Sequence, residues 1–118
     1  MLNKLATGVA AAACLLSTAL PMKSNAADTR MLTSYYADYF HGRTTANGEV
    51  FNMFELTAAS PYLPFGTRLR VCYQGCVDVR INDRGPFVGA RTLDLSYGAA
   101  SRIGLLERGV DNTQVTFL

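Results

Sequence analysis

Arg68-Leu69-Arg70-Val71-Cys72-Tyr73-Gln74-Gly75-Cys76-Val77-Asp78-Val79-Arg80-Ile81 decides the fold. Apolar and polar residues alternate with period two on both sides of Tyr73-Gln74-Gly75, the pattern of two strands joined by a short loop. Folding the pair about Gln74 sets Cys72 opposite Cys76, Val71 opposite Val77, Arg70 opposite Asp78 and Leu69 opposite Val79. One face is then Leu, Val, Val, Val, and the other carries an ion pair and two facing cysteines at the separation a disulfide requires. The same register opposes Arg68 to Arg80, which is unfavourable unless an anion lies between them. Asp83 is near enough in sequence to be that anion.

C-terminal to the hairpin, Asn82-Asp83-Arg84-Gly85-Pro86-Phe87 ends the strand in a Gly-Pro turn, and loops at strand ends are where a rigid scaffold presents its chemistry. Eleven residues after Asp83 comes a second acid, in Arg91-Thr92-Leu93-Asp94-Leu95-Ser96. Alternation turns Leu93 and Leu95 inward and Thr92 and Asp94 outward. On this reading Arg80 and Arg84 keep Asp83 ionised, whereas Asp94 has no adjacent cation. Ser96 suits the N-cap of a short helix through Arg102, with Gly104 just past its end. Residues 112–118 form a last strand.

On the N-terminal side, residues 31–40 read as a first strand, with Thr33 and Tyr35 on one side and Ser34 and Tyr36 on the other. The polar stretch from His41 to Glu49 has the glycines and the Asn-Gly pair of a loop. Residues 50–54 suit either a helical turn or a buried crossing. Residues 55–60 read as a strand, stopped by Pro61 and the Leu63-Pro64-Phe65-Gly66 turn. About six short strands with one or two helical turns predict an all-β domain, a small closed β-barrel.

The 118 residues suffice for one domain, and part of the 49% hydrophobic content belongs to a leader. Met1-Leu2-Asn3-Lys4 is a positive start, residues 5–20 an alanine-rich apolar run, and Ser24-Asn25-Ala26 a small-x-small cleavage site. The expected organisation is a signal peptide over 1–26 and a domain over 27–118, exported to the periplasm or the exterior. Ala11-Ala12-Ala13-Cys14 is the alternative, a lipid anchor at Cys14. Without Lys4 and Lys23 the basic count falls from 11 to 9, equal to the 9 acids. That neutral balance excludes a net positive field for nucleic acid. Cys72 and Cys76 are then the remaining thiols, and in an oxidising compartment they favour a disulfide over metal binding. With His41 the single histidine, no metal and no cofactor is expected.

The segments Tyr36…Phe40-His41-Gly42-Arg43…Thr45-Ala46-Asn47-Gly48-Glu49, Leu56-Thr57-Ala58-Ala59, Leu63-Pro64-Phe65-Gly66-Thr67, Arg80-Ile81-Asn82-Asp83-Arg84-Gly85-Pro86-Phe87 and Asp94-Leu95-Ser96 resemble the rare lipoprotein A family. The resemblance implies a six-stranded double-psi β-barrel with one or two short helices, the barrel also used by expansins. It implies an endolytic lytic transglycosylase that cuts peptidoglycan glycan strands and leaves 1,6-anhydro ends. The family's catalytic aspartate falls on Asp83, and the aspartate used by expansin-like barrels falls on Asp94. Tyr36, His41, Thr45, Glu49, Ser60, Asn82 and Arg84 are the substrate-binding candidates. Where the family carries histidine after Thr-Ala-Ala, this chain carries Ser60. That difference points to the alternative, a non-catalytic expansin-like module that binds or loosens wall glycan. Peptidoglycan is the expected partner of a monomer, with cell-envelope proteins as further partners.

Overall fold

The structure is a computed structural model that describes residues 28–36 and 38–118. The signal-peptide and Cys14 expectations lie outside the described residues. Six strands form the domain: β1 Asp28–Tyr35, β2 Thr57–Ala59, β3 Arg68–Cys72, β4 Cys76–Asp83, β5 Leu93–Leu95 and β6 Asp111–Phe117. Among the described residues one helix, α1, spans Tyr97–Ile103, and one 3-10 turn covers Asp38–Phe40. The strands close in the order β1-β5-β2-β4-β3-β6, with β6 returning to β1. Closure leaves no free sheet edge, which otherwise invites pairing with other chains.

The hairpin has the register read from its alternation: Arg68, Leu69, Arg70, Val71 and Cys72 face Arg80, Val79, Asp78, Val77 and Cys76. The cysteines are joined by a disulfide, their Cα atoms 4.0 Å apart. Arg70 grips Asp78 through two nitrogens, at 2.8 and 3.0 Å. The loop packs on the helix: Gln74 N–H donates to the Ile103 carbonyl, and Gly104 takes the left-handed φ of 79° beside Gln74. That left-handed backbone is what selects glycine at this position.

Leu69, Val71, Ile81, Leu93, Leu95, Ile103, Leu105 and Val115 are fully buried in one core with Ala58, Ala99 and Ala100. Each such side chain contributes roughly 1.5–3 kcal/mol of apolar burial. Thr33 and Thr113 are buried too, and they satisfy each other across β1 and β6 with a 2.9 Å hydroxyl pair. Ser96 caps α1 by accepting from Ala99 N–H, while its hydroxyl donates to the Glu55 carbonyl.

Residues 50–54 are neither a helical turn nor a buried crossing: Val50 bridges Thr44 and is exposed, Phe54 is exposed, and Phe51 is the buried side chain of the segment. Phe51 is enclosed and stacks on Tyr36 with ring centroids 4.5 Å apart. Gly98 lets this segment dock on the helix, since a Cβ there would lie 2.5 Å from the Phe54 carbonyl oxygen.

Parallel pairing is what the local patterns do not display. β1 runs parallel to β5 and β2 parallel to β4, while β2 and β5 are antiparallel. These pairings align Ser34 with Asp94, Asp94 with Ala59, and Ala59 with Asp83. A row of four residues thus crosses β1, β5, β2 and β4. The row depends on a bulge: Ala58 faces Ile81, but Ala59 faces Asp83, so Asn82 is the extra residue. Bulges re-aim side chains beside active sites, and this one brings Asp83 into the row in place of Asn82.

Candidate functional site

An open cavity of about 300 Å³ lies over that row, with Ser34, Ala59, Asp83 and Asp94 among its lining residues. Ala59 separates the acids, so their Cα atoms are two strand spacings apart, roughly 10 Å, and its methyl leaves room between them. Tyr36 and Phe40 form one wall. Arg84, Gly85, Pro86, Phe87 and Val88 form another, and Arg91 completes the lining.

The two acids are held differently. Asp83 Oδ2 accepts from the Tyr36 hydroxyl at 2.9 Å, and its Oδ1 accepts from the N–H groups of Ala46 and Arg84 at 2.8 and 2.9 Å. All three partners donate, so Asp83 is oriented as an acceptor. Burial, then the Asp83 charge, push the Tyr36 phenol far above its ordinary 10.0, which keeps it a proton-bearing donor. Among the described residues Asp94 has one hydrogen-bond partner, Ser34 Oγ, which donates to its Oδ1 at 2.9 Å. Burial raises the Asp94 pKa above 3.8; the Ser34 hydrogen bond and Arg91 oppose the rise, and the Asp83 charge adds to it.

The arginines depart from the expected pairing. Arg80 does not reach Asp83. It makes a bidentate contact with Glu49 at 2.7 and 2.9 Å, so Glu49 is the anion that relieves the Arg68–Arg80 opposition. Arg84 donates to the carbonyls of Ser60 and Leu63 and lies 4.0 Å over the Phe65 ring. Its backbone N–H, not its guanidinium, meets Asp83. The cation near Asp94 is Arg91, which sequence reading passed over.

Of the seven substrate-binding candidates, Tyr36 and Arg84 line the cavity and five do not. His41 is turned away, its Nδ1 accepting from Met53 N–H at 3.1 Å. Thr45, Glu49 and Asn82 form a polar network behind the site. Thr45 Oγ1 donates to Asn47 at 2.6 Å, Asn47 Nδ2 donates to Glu49 at 2.9 Å, and Asn82 Nδ2 donates to Glu49 at 3.0 Å. This network fixes the 43–49 loop against β4 and so aims the Ala46 N–H at Asp83. Ser60 is fully buried, its hydroxyl accepting from the N–H groups of Tyr62 and Leu63. It is a turn cap. Residues missed from sequence are Ser34, Ala46 and Arg91. Ser34 alone carried a signal, since its strand face was read correctly.

The closed six-stranded mixed barrel is the architecture of the double-psi β-barrel proteins. Solved structures share it: a Streptomyces papain inhibitor superposes with TM-score 0.63 at 24% identity, over 77% of this chain and 94% of that one. The expansin of Clavibacter michiganensis gives TM-score 0.62 at 22% identity, over 77% of this chain and 50% of the expansin. Residues 29–115 match the lytic transglycolase family, and the chain belongs to that family. A Synechocystis protein named as a probable endolytic peptidoglycan transglycosylase RlpA is 56% identical over 84 residues, 69% of this chain and 26% of its own length. Its Vibrio cholerae counterpart, named as an endolytic peptidoglycan transglycosylase RlpA, is 41% identical over 70% of this chain and 32% of its own length. The chain thus spans about a quarter to a third of these relatives.

Proposed function

We propose that this barrel is the catalytic unit of an endolytic peptidoglycan lytic transglycosylase, exported to the cell envelope after removal of residues 1–26. The observation that carries the reading is the unequal treatment of two acids in one cavity, which supports a division of acid and base work. Asp94, whose burial favours the protonated form, gives its proton to the bridging glycosidic oxygen. Asp83, oriented by three donors, takes the proton of the sugar's own 6-hydroxyl. The bond from the anomeric carbon to the leaving oxygen breaks as the 6-oxygen bonds to that carbon. The products are a 1,6-anhydro sugar and a free hydroxyl, and no water is consumed. The relatives' names support peptidoglycan as substrate.

A second reading, a binding or wall-loosening module without catalysis, is favoured by Ser60, whose enclosed hydroxyl supplies no titratable group where the family's histidine stands. One experiment separates the two: mass spectrometry of purified glycan strands after incubation with the protein. The first reading expects anhydro-ended products that Asp83→Asn abolishes while leaving the thermal transition within a few degrees. Strand binding without any such product would replace it with the second.

A further inference from the structure

Beside the two-acid cavity lies a second one, of about 280 Å³, lined by Tyr35, Tyr36, Asp38, Met53 and Tyr97. The two cavities share Tyr35 and Tyr36 in their linings, so they adjoin across these two tyrosines. Tyr97, at the first position of α1, is partly exposed and held edge-on between Tyr35 and Phe54, with ring centroids 6.4 and 6.2 Å away. Phe54 itself is 65% exposed, although it packs against Tyr97 and His41. Exposed aromatic rings already locked by edge contacts offer an apolar face at little entropic cost on binding. Asp38 adds a carboxylate at the rim of the same cavity.

We propose that this second cavity is a subsite for a further sugar ring of the same glycan strand. The proposal rests on the glycan reading of the acid cavity and extends it across the two tyrosines. Sugar rings present an apolar C–H face and a rim of hydroxyls. Tyr97 and Met53 suit the face, and Asp38 accepts from the hydroxyls. The volume holds one ring, not a folded partner, and continuity through Tyr35 and Tyr36 makes the next residue of an already seated strand its occupant. The Glu49 cluster behind the site is closed by its own hydrogen bonds and offers no comparable opening.

The test is the affinity of the protein for peptide-free glycan oligomers lengthened one sugar at a time. Wild type is expected to show a step of about tenfold in Kd, equivalent to about 1.4 kcal/mol, at the length that reaches the second cavity. Tyr97→Leu keeps apolar bulk against Tyr35 but removes the ring, and Asp38→Asn removes the acceptor charge without touching the core. Both should flatten the step and leave the affinity for shorter oligomers within about twofold, or about 0.4 kcal/mol. A wild type without a step, a step unchanged in both variants, or a step that requires peptide-bearing strands would overturn the subsite. Anhydro-product release is measured in parallel. Product without a step sinks the subsite and keeps the transglycosylase, whereas a step without product does the reverse.

Discussion

Replacing Glu49 by Gln tests how the 43–49 loop is held. Glu49 accepts from both terminal nitrogens of Arg80, from Asn82 and from Asn47, and these contacts, led by Arg80, hold its carboxyl down to about 2 from an ordinary 4.5. Taken at face value such a depression corresponds to roughly 3 kcal/mol of differential stabilisation. The side chains of Arg80 and Glu49 are 39% and 37% exposed, however. Solvent screening at that exposure reduces the expected contribution to about 1 kcal/mol.

The pH dependence has a definite sign. The folded pKa lies below the ordinary value, so the contribution is fully present above pH 4.5 and is lost as pH falls towards about 2. Denaturant melts should therefore place Glu49→Gln about 1 kcal/mol below wild type at neutral pH, with the gap closing in acid. A double-mutant cycle with Arg80→Ala should assign most of that loss to the pair. Hydrogen exchange reads the consequence for the site: the Ala46 amide, which donates to Asp83 at 2.8 Å, should exchange faster in the variant. Equal stability at pH 7 together with unchanged Ala46 protection would refute the reasoning.

Asp94→Asn should abolish or strongly reduce anhydro-product release yet melt above wild type at pH 7. Burial raises the folded pKa of Asp94, so its contribution to stability is complete below 3.8 and is lost as pH rises through the folded value; calorimetry across pH should show the gap narrowing in acid. Cys72→Ser with Cys76→Ser opens a bridge of sequence separation 4, and the chain-entropy account gives about 2 kcal/mol for so short a loop. Urea titration measures that loss, and thiol labelling of the unreduced, denatured parent should modify neither cysteine. Ser60→Ala removes the acceptor for two backbone N–H groups and should cost about 1 kcal/mol in the same titration.

What was legible in the sequence was local. The hairpin declared itself because period two, a three-residue loop and two cysteines all required the same register. The helix did so because Ser96 and Gly104 mark its ends. The row Ser34, Asp94, Ala59, Asp83 could not be read this way, since it is assembled by parallel pairings between segments far apart in the chain. The sequence puts Asp83 nearest to Arg80, but the guanidinium is taken by Glu49, 31 residues upstream, while Asp83 is turned to Tyr36 and two backbone N–H groups. Ser60, His41, Thr45 and Asn82 were placed in the groove because the motif contains them. The structure gives each a backbone or loop partner instead.

The same bulge explains why two acids in one cavity are not equivalent. In the regular ladder of β5, Asp94 lies between Ser34 and Ala59, small residues that leave it enclosed with a single hydroxyl donor. On β4 the extra residue Asn82 turns its amide to Glu49 and frees Asp83 to collect a phenol and two backbone N–H groups. Burial favours the protonated form of Asp94, whereas three convergent donors orient Asp83 as an acceptor, so strand geometry gives the two acids different surroundings. Ser60 is a cap and His41 accepts from Met53 N–H, so in the proposed reaction proton transfer falls to these two carboxylates, with Tyr36 and Arg91 lining the same cavity.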